Sequence, residues 1–276
     1  MSERRSVGPL LQAALNGDRV HPAAPRTPGD IASEACAAVD AGARSLHLHP
    51  YDEDGRQTFA AEPCAATLRA VRAACPGIPI SLSTSADVEP DPRKRIALVE
   101  AWAELPDLVT ANQGEDGIVE LCELLVNRGI GIEAGLLALD DAHRFVAVGV
   151  ASRCVRAMVE PLDADAGDAI AHAEAIEKVL IDAGITLEQV HHGDGIPTAG
   201  AKYFRTVFRS RFRLCAICTC ERPASQCTNN STRSTTSKLL LAIGRSLSHR
   251  VGEQQRRHRK RPNPAPPRPS SPWGIT

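Results

Sequence analysis

Arg44-Ser45-Leu46-His47-Leu48-His49-Pro50-Tyr51 alternates polar and apolar side chains at the two-residue period of a β-strand. In an extended chain His47 and His49 share one face, and Leu46 and Leu48 take the other. Two imidazoles on one face of a strand end can both reach one metal ion. The His-x-His spacing alone is a weak signal, because many such pairs are surface or packing residues. Its weight comes from what surrounds it.

Short apolar runs bounded by turn residues recur on both sides of this stretch. They are Leu10 to Leu15, Ile80 to Ser85, Leu108 to Asn112, Gly131 to Leu136, Cys154 to Glu160 and Gln189 to Gly193. With the histidine strand they make seven, their centres roughly 23–35 residues apart, the period of a strand plus a crossover helix. Helical patterns fill the gaps. Thr27-Pro28 opens the first, with Thr as N-cap and Pro at the first helical position, and Gly42 closes it. Others are expected over residues 65–75, 93–105, 117–127, 140–148 and 168–182.

This alternation predicts a parallel sheet flanked by helices. A doubly wound open sheet would carry a glycine-rich phosphate turn after its first strand. Here that strand ends Leu15-Asn16-Gly17-Asp18, with no G-x-G-x-x-G. Polar residues instead gather at successive strand ends: Asn16, His47 and His49, Ser83 and Thr84, Thr110 and Asn112, Glu133, Glu160, His191 and His192. That pattern is the mark of an α/β fold of the (β/α)8 TIM-barrel type, whose site lies at the C-terminal face of the strands. An eighth strand should follow near residue 215.

The 276 residues are 43% apolar and carry a net charge of −1, which hides two unlike parts. Through Ala201 there are 16 basic and 31 acidic residues, net −15; from Lys202 onward there are 16 basic and two acidic, net +14. Four aromatic residues lie in the first part and five in the much shorter second. The expected organisation is a barrel over residues 1–200 and a basic, Ser- and Pro-rich tail over 201–276. No run of about 18 apolar residues and no charged-then-greasy leader is visible. The expectation is a cytoplasmic protein with reduced thiols and no membrane partner.

The run Ala13-Ala14-Leu15-Asn16-Gly17, then His21-Pro22, Thr27-Pro28, Ala41-Gly42-Ala43 and His47-Leu48-His49-Pro50, resembles the β-keto acid cleavage enzymes. Ile80 to Ser85, Leu108 to Asn112 and His192-Gly193-Asp194-Gly195 are similar to later strand-end motifs of that family. The resemblance spans about residues 8–198.

It implies a zinc-dependent barrel that converts a β-keto acid plus acetyl-CoA into acetoacetate and a new acyl-CoA. It implies that His47 and His49 are metal ligands and that Ser83 and Glu133 are catalytic. Asn16, Thr84, Thr110, Asn112 and His192 would bind substrate. Each histidine would bind metal through one neutral ring nitrogen, and the other nitrogen would need an orienting partner. The plainer readings stay open. Ser83 and Thr84 can cap the next helix, and Thr110 and Asn112 can fill the barrel. His191 and His192 can bond loop backbone, and Asp194 suits a turn. Glu133, in an apolar strand, needs a partner or a metal to stay charged. Trp102 and Leu105, and Cys36, Cys64, Cys75, Cys122 and Cys154, read as core. A different metal-dependent barrel lyase, working without acetyl-CoA, is the alternative for the barrel. Barrel edges of this kind often pack into homo-oligomers.

After about Pro197 the resemblance stops. The family would continue to an eighth strand whose end supplies a glutamate ligand, an aspartate base and a nearby arginine. Lys202-Tyr203-Phe204-Arg205 and a Ser/Thr-rich stretch follow instead, then Arg256 to Arg261 and a Pro-rich end. A reading-frame shift near residues 198–201 accounts for the simultaneous change in charge, aromatics and motifs, and predicts an impaired enzyme. The rival is an appended module, with Cys215, Cys218, Cys220 and Cys227 as a zinc cluster beside a nucleic-acid-binding tail. Their spacing is not that of a common finger, so nucleic acid is not an expected partner. Without an eighth strand the barrel would stay open between its first and seventh. Phe212 to Thr219 is apolar enough to stand in, which would bring Cys218, Cys220 or Glu221 toward the metal.

Overall fold

The computed structural model describes residues 11–17, 24–163, 165–192 and, by backbone alone, 214–219. The chain divides into two units, Met1–Leu240 and Leu241–Thr276, and every described residue belongs to the first. His21-Pro22, Asp194, the expected division at residues 200 and 201, the Arg256 to Arg261 run and the Pro-rich end lie outside the described residues.

Strands and helices alternate: β1 (Leu11–Ala14), α1 (Pro28–Asp40), β2 (Ser45–Leu48), α2 (Ala61–Ala74), β3 (Ile80–Ser83), α3 (Pro92–Glu100), β4 (Leu108–Asn112) and α4 (Ile118–Asn127). Then come β5 (Gly131–Leu136), α5 (Leu139–Val148), β6 (Arg156–Val159), α6 (Ala166–Asp182), β7 (Glu188–His192) and β8 (Leu214–Thr219). The eight strands form a closed parallel barrel in sequence order. The open edge between the first and seventh strands is thereby overturned. β8 pairs with β7 through Gln189↔Leu214 and with β1 through Leu11↔Ala216. The physical reason is that edge strands need their backbone groups paired, and a short apolar run can pair them whatever its side chains.

The period-2 alternation sorts the strands into two faces. Leu46, Leu48, Ile80, Leu82, Val109, Ala111, Ile132 and Ala134 point outward and bury against the helices in the main core. The inward face is mostly polar. Gln12, Ser45, His47, Ser81, Ser83, Thr110, Glu133 and Arg156 are all buried, beside a small apolar patch of Ala14, Met158 and Val190. A barrel interior so polar stays closed only because its members bond one another.

Helix starts follow the sequence signals. Thr27 caps α1, its hydroxyl accepting from Asp30 N at 3.1 Å, with Pro28 at the first position. α3 is shorter than expected and stops at Glu100, so Trp102 and Leu105 follow it rather than sit on it. The Arg128 guanidinium ends it, donating to the carbonyls of Val99 (2.7 Å), Glu100 (3.0 Å) and Trp102. Trp102 is still buried, its indole N–H donating to Phe59 O at 2.8 Å. Cys64, Cys75, Cys122 and Cys154 are buried, whereas Cys36 is only half-buried. Among the described residues no helix is long and apolar enough to cross a membrane.

Candidate active site

The site forms where β2 reaches the C-terminal mouth of the barrel. His47 is the third residue of β2 and His49 lies just past its end. Their Nε2 atoms are 3.2 Å apart and the two rings meet nearly edge to face, at 84°. The alternation of the strand puts both rings on the barrel side.

Each ring is held from behind by its other nitrogen. His47 Nδ1 lies 3.4 Å from both Ser81 Oγ and Thr110 Oγ1. Both hydroxyls donate to Glu133 Oε2, Thr110 at 3.1 Å and Ser81 more closely. A hydroxyl that gives its proton to a carboxylate presents a lone pair elsewhere, so Ser81 and Thr110 accept from His47 Nδ1–H. That turns His47 Nε2 toward His49. Burial, and next to it the charges of His49 and His192, hold His47 well below the ordinary histidine range, so its ring is neutral. His49 Nδ1 donates to Gln57 Oε1 at 2.5 Å, which turns its Nε2 edge toward His47.

The two Nε2 atoms face each other at 3.2 Å, close enough to share one cation. Two nitrogens on one tetrahedral zinc, with Zn–N of about 2.0–2.1 Å, stand about 3.3 Å apart. The pair fits such an ion as two of its ligands. Among the described residues no three His, Cys, Asp or Glu side chains group as a metal site. The side chains of Cys215 and Cys218, and Cys220 and Glu221 entirely, lie outside the described residues.

Glu133 is the hub of the barrel floor. Besides the two hydroxyls it accepts from Gln12 Nε2 at 3.0 Å and pairs with Arg156 Nε at 3.2 Å, and it is wholly buried. This partner set answers the demand that its position in an apolar strand raised. The other expected residues divide. Asn16 clamps the His49 backbone, accepting from its N–H at 2.8 Å and donating to its carbonyl at 2.9 Å. Thr84 donates to Thr110 O at 2.8 Å and is sealed from solvent. Ser83 is buried and accepts from Ser85 N at 3.3 Å. Asn112 donates to Glu115 Oε1 at 2.9 Å. His192 pairs with Glu160, Nδ1 to Oε1 2.5 Å, and lies near enough to His47 to act on it electrostatically. His191 faces away from the barrel and pairs with Glu177 of α6 at 2.9 Å. Glu160 stands in the strand-end pattern without an assigned role, whereas Gln12, Gln57, Ser81 and Arg156 join the site from outside that pattern.

Residues 10–146 match the model of the beta-keto acid cleavage enzyme family. Through that segment, just under half of the chain, it is similar to the family. The 3-keto-5-aminohexanoate cleavage enzyme of Fusobacterium nucleatum subsp. nucleatum is 33% identical over 135 residues, covering 44% of this chain and 50% of that protein. The enzyme of the same name from Acetoanaerobium sticklandii is 34% identical over 115 residues, covering 40% of this chain and 42% of its own. The chain thus spans about half or less of the curated relatives it matches. In fold it is similar to apo ObcA, at TM-score 0.62 and 14% identity, over 83% of this chain and 62% of that one. The histidine pair, Ser81, Ser83, Thr110, Asn112 and Glu133 all fall inside the matched beta-keto acid cleavage segment.

Proposed function

We propose that this chain carries the keto-acid half of a zinc-dependent β-keto acid cleavage site, joining a β-keto acid and acetyl-CoA to give acetoacetate and an acyl-CoA. The observation that carries the reading is the pair of Nε2 atoms that meet 3.2 Å apart at the barrel mouth, within the matched segment. His47 and His49 would hold the ion through these atoms. Zinc, when bound, supplies Lewis acidity that makes the carbon between carbonyl and carboxylate easier to deprotonate. Glu133 fixes the two hydroxyls that orient His47, and Asn16 and Gln57 fix His49. Ser83 and Asn112, at the ends of β3 and β4, would supply polar contacts for the acid. His192, backed by Glu160, stands across from His47 as a group able to hold a proton near the substrate.

ObcA has been solved with oxaloacetate, and in a ternary complex with a C4-CoA adduct and oxalate. Those ligands support the choice of a keto acid and a CoA thioester as substrate classes for a barrel of this shape. The reading includes an impairment. The glutamate, aspartate and arginine that the family resemblance implies for the eighth strand have no match after Pro197, and we attribute this to a reading-frame shift near residues 198–201. Two histidines without a carboxylate hold zinc weakly, and loss of a base lowers turnover.

Zinc titration of the purified full chain, beside His47→Ala, tests the site. Weak uptake that disappears in the variant is expected; no uptake by the unmodified chain would refute the reading. Acetoacetate release from keto acid and acetyl-CoA, compared with a full-length relative, tests the reaction. Sequencing the gene, with peptide mapping of the tail, tests the frame shift, and an intact frame removes it.

A further inference from the structure

The ring of His49 is oriented by the loop that follows β2. Residues 50–58 make a tight hairpin. Thr58 N donates to Pro50 O at 3.0 Å, Asp52 N donates to Arg56 O at 2.8 Å, and Tyr51 bridges to Gln57. Gly55 takes the turn at φ +73°, a conformation glycine adopts freely. The Tyr51 hydroxyl donates to Gly17 O and so ties the hairpin to the end of β1. The product of this bracing is the Gln57 amide, whose Oε1 meets His49 Nδ1 at 2.5 Å.

We propose that Gln57 is the positioning residue that selects the His49 tautomer and thereby sets the affinity of the histidine pair for its metal. The proposal rests on the metal reading of that pair. An amide oxygen accepts but cannot donate, so it holds the proton on Nδ1 and turns the Nε2 edge of the ring toward His47. Being neutral, the amide orients the ring without adding a charge beside the ion, unlike a carboxylate in the same place. Ser81 and Thr110 do the same for His47, but they lie on the barrel strands. Gln57 alone delivers its group from a hairpin, so it can be changed without disturbing the interior.

The test uses the full-length chain. In metal-free protein, nitrogen-15 NMR of the histidine rings reads the tautomer: the unmodified chain should carry the His49 proton on Nδ1. Gln57→Leu should shift His49 toward the Nε2–H form and weaken zinc binding, measured by chelator competition, roughly 10–100-fold. Gln57→Glu, which keeps an acceptor, should retain the Nδ1–H form and bind zinc at least as well as the unmodified chain. A merely structural role would move neither the tautomer nor this contrast, and unchanged melting curves confirm that the variants fold. An unchanged tautomer and zinc affinity in Gln57→Leu overturn the proposal. An unmodified chain that takes up no zinc overturns the metal reading instead, and the tautomer shift still reports whether Gln57 orients the ring.

Discussion

Glu133 on β5 and Arg156 beside it on β6 form an ion pair inside the barrel, Oε1 to Nε 3.2 Å, with both side chains sealed from solvent. Breaking one half of such a pair leaves the other charge buried and uncompensated, which costs about 3–5 kcal/mol. Glu133→Ala should destabilise the chain by about that amount in urea unfolding. Glu133→Leu with Arg156→Met, which removes both charges at similar volume, should recover much of it. A Glu133→Ala chain of undiminished stability would mean that the pair holds nothing together.

The position of Glu133 shows what the sequence could and could not reveal. A lone carboxylate in an apolar strand demands partners, and that demand is legible. Which partners answer it depends on the stagger of the barrel, which sets Ser81 opposite His47 and Thr110 opposite Glu133. No local pattern carries that stagger, so the strand end points to Ser83 while Ser81, one turn of the pleat deeper, touches the histidine. The His47 and His49 face was legible because strand alternation is local. Gln57 was not, since its contact needs a hairpin to fold back eight residues. The closing strand was half legible: the apolar run near residue 215 is plain, but its pairing with two edges is a property of the whole ring.

Ser81 gives the second prediction. Its hydroxyl connects Glu133 to His47 Nδ1. Ser81→Ala should leave Thr110 as the remaining acceptor and weaken zinc binding by roughly tenfold. Ser83→Ala, lacking that contact, should leave zinc affinity unchanged, and chelator competition on both variants separates the two serines.

The cysteines give a prediction about pH. Burial pushes the Cys64 and Cys154 thiols up to about 12. A thiol raised on folding keeps its proton where the unfolded chain would lose it. The stability this brings is present below about pH 8.5 and drains away as pH rises toward 12. Alkaline unfolding should therefore steepen over that interval. At pH 8 in native buffer both thiols should react with a disulfide reagent on the order of a thousandfold more slowly than a free thiol. Of these three cysteines, half-buried Cys36 should react first, as peptide mapping would show. Equal labelling of all three without denaturant would contradict the burial.

Arg128 closes α3 by donating to the carbonyls of Val99 and Glu100 at the helix end and of Trp102 just beyond it. Arg128→Met keeps the aliphatic stem and removes the donors, so it should cost about 2–3 kcal/mol in urea unfolding. Arg128→Lys should recover only part, because an ammonium cannot reach three carbonyls in the guanidinium's fork geometry. Full recovery by lysine would show that charge near the helix end, and not the geometry, matters.

Gly135 on β5 stands directly opposite Asn112 on β4. A Cβ at Gly135 would lie 2.3 Å from Asn112 Oδ1 and 3.2 Å from its Cα. The glycine is what leaves room for the Asn112 amide at the barrel mouth. Gly135→Ala should push that amide off Glu115, whose Oε1 it now meets at 2.9 Å. The disturbance reaches further, because the same Glu115 oxygen accepts from Ala86 N at 2.9 Å and so steadies the loop after β3. The expected loss is about 1–3 kcal/mol, the usual cost of crowding a packed site. Asn112→Ala removes the atom that would be struck. The double variant should then be more stable than the sum of the two single losses requires, with a coupling of about 1 kcal/mol or more. Strictly additive losses in the urea midpoints would place the two residues out of contact and remove Asn112 from the mouth of the site.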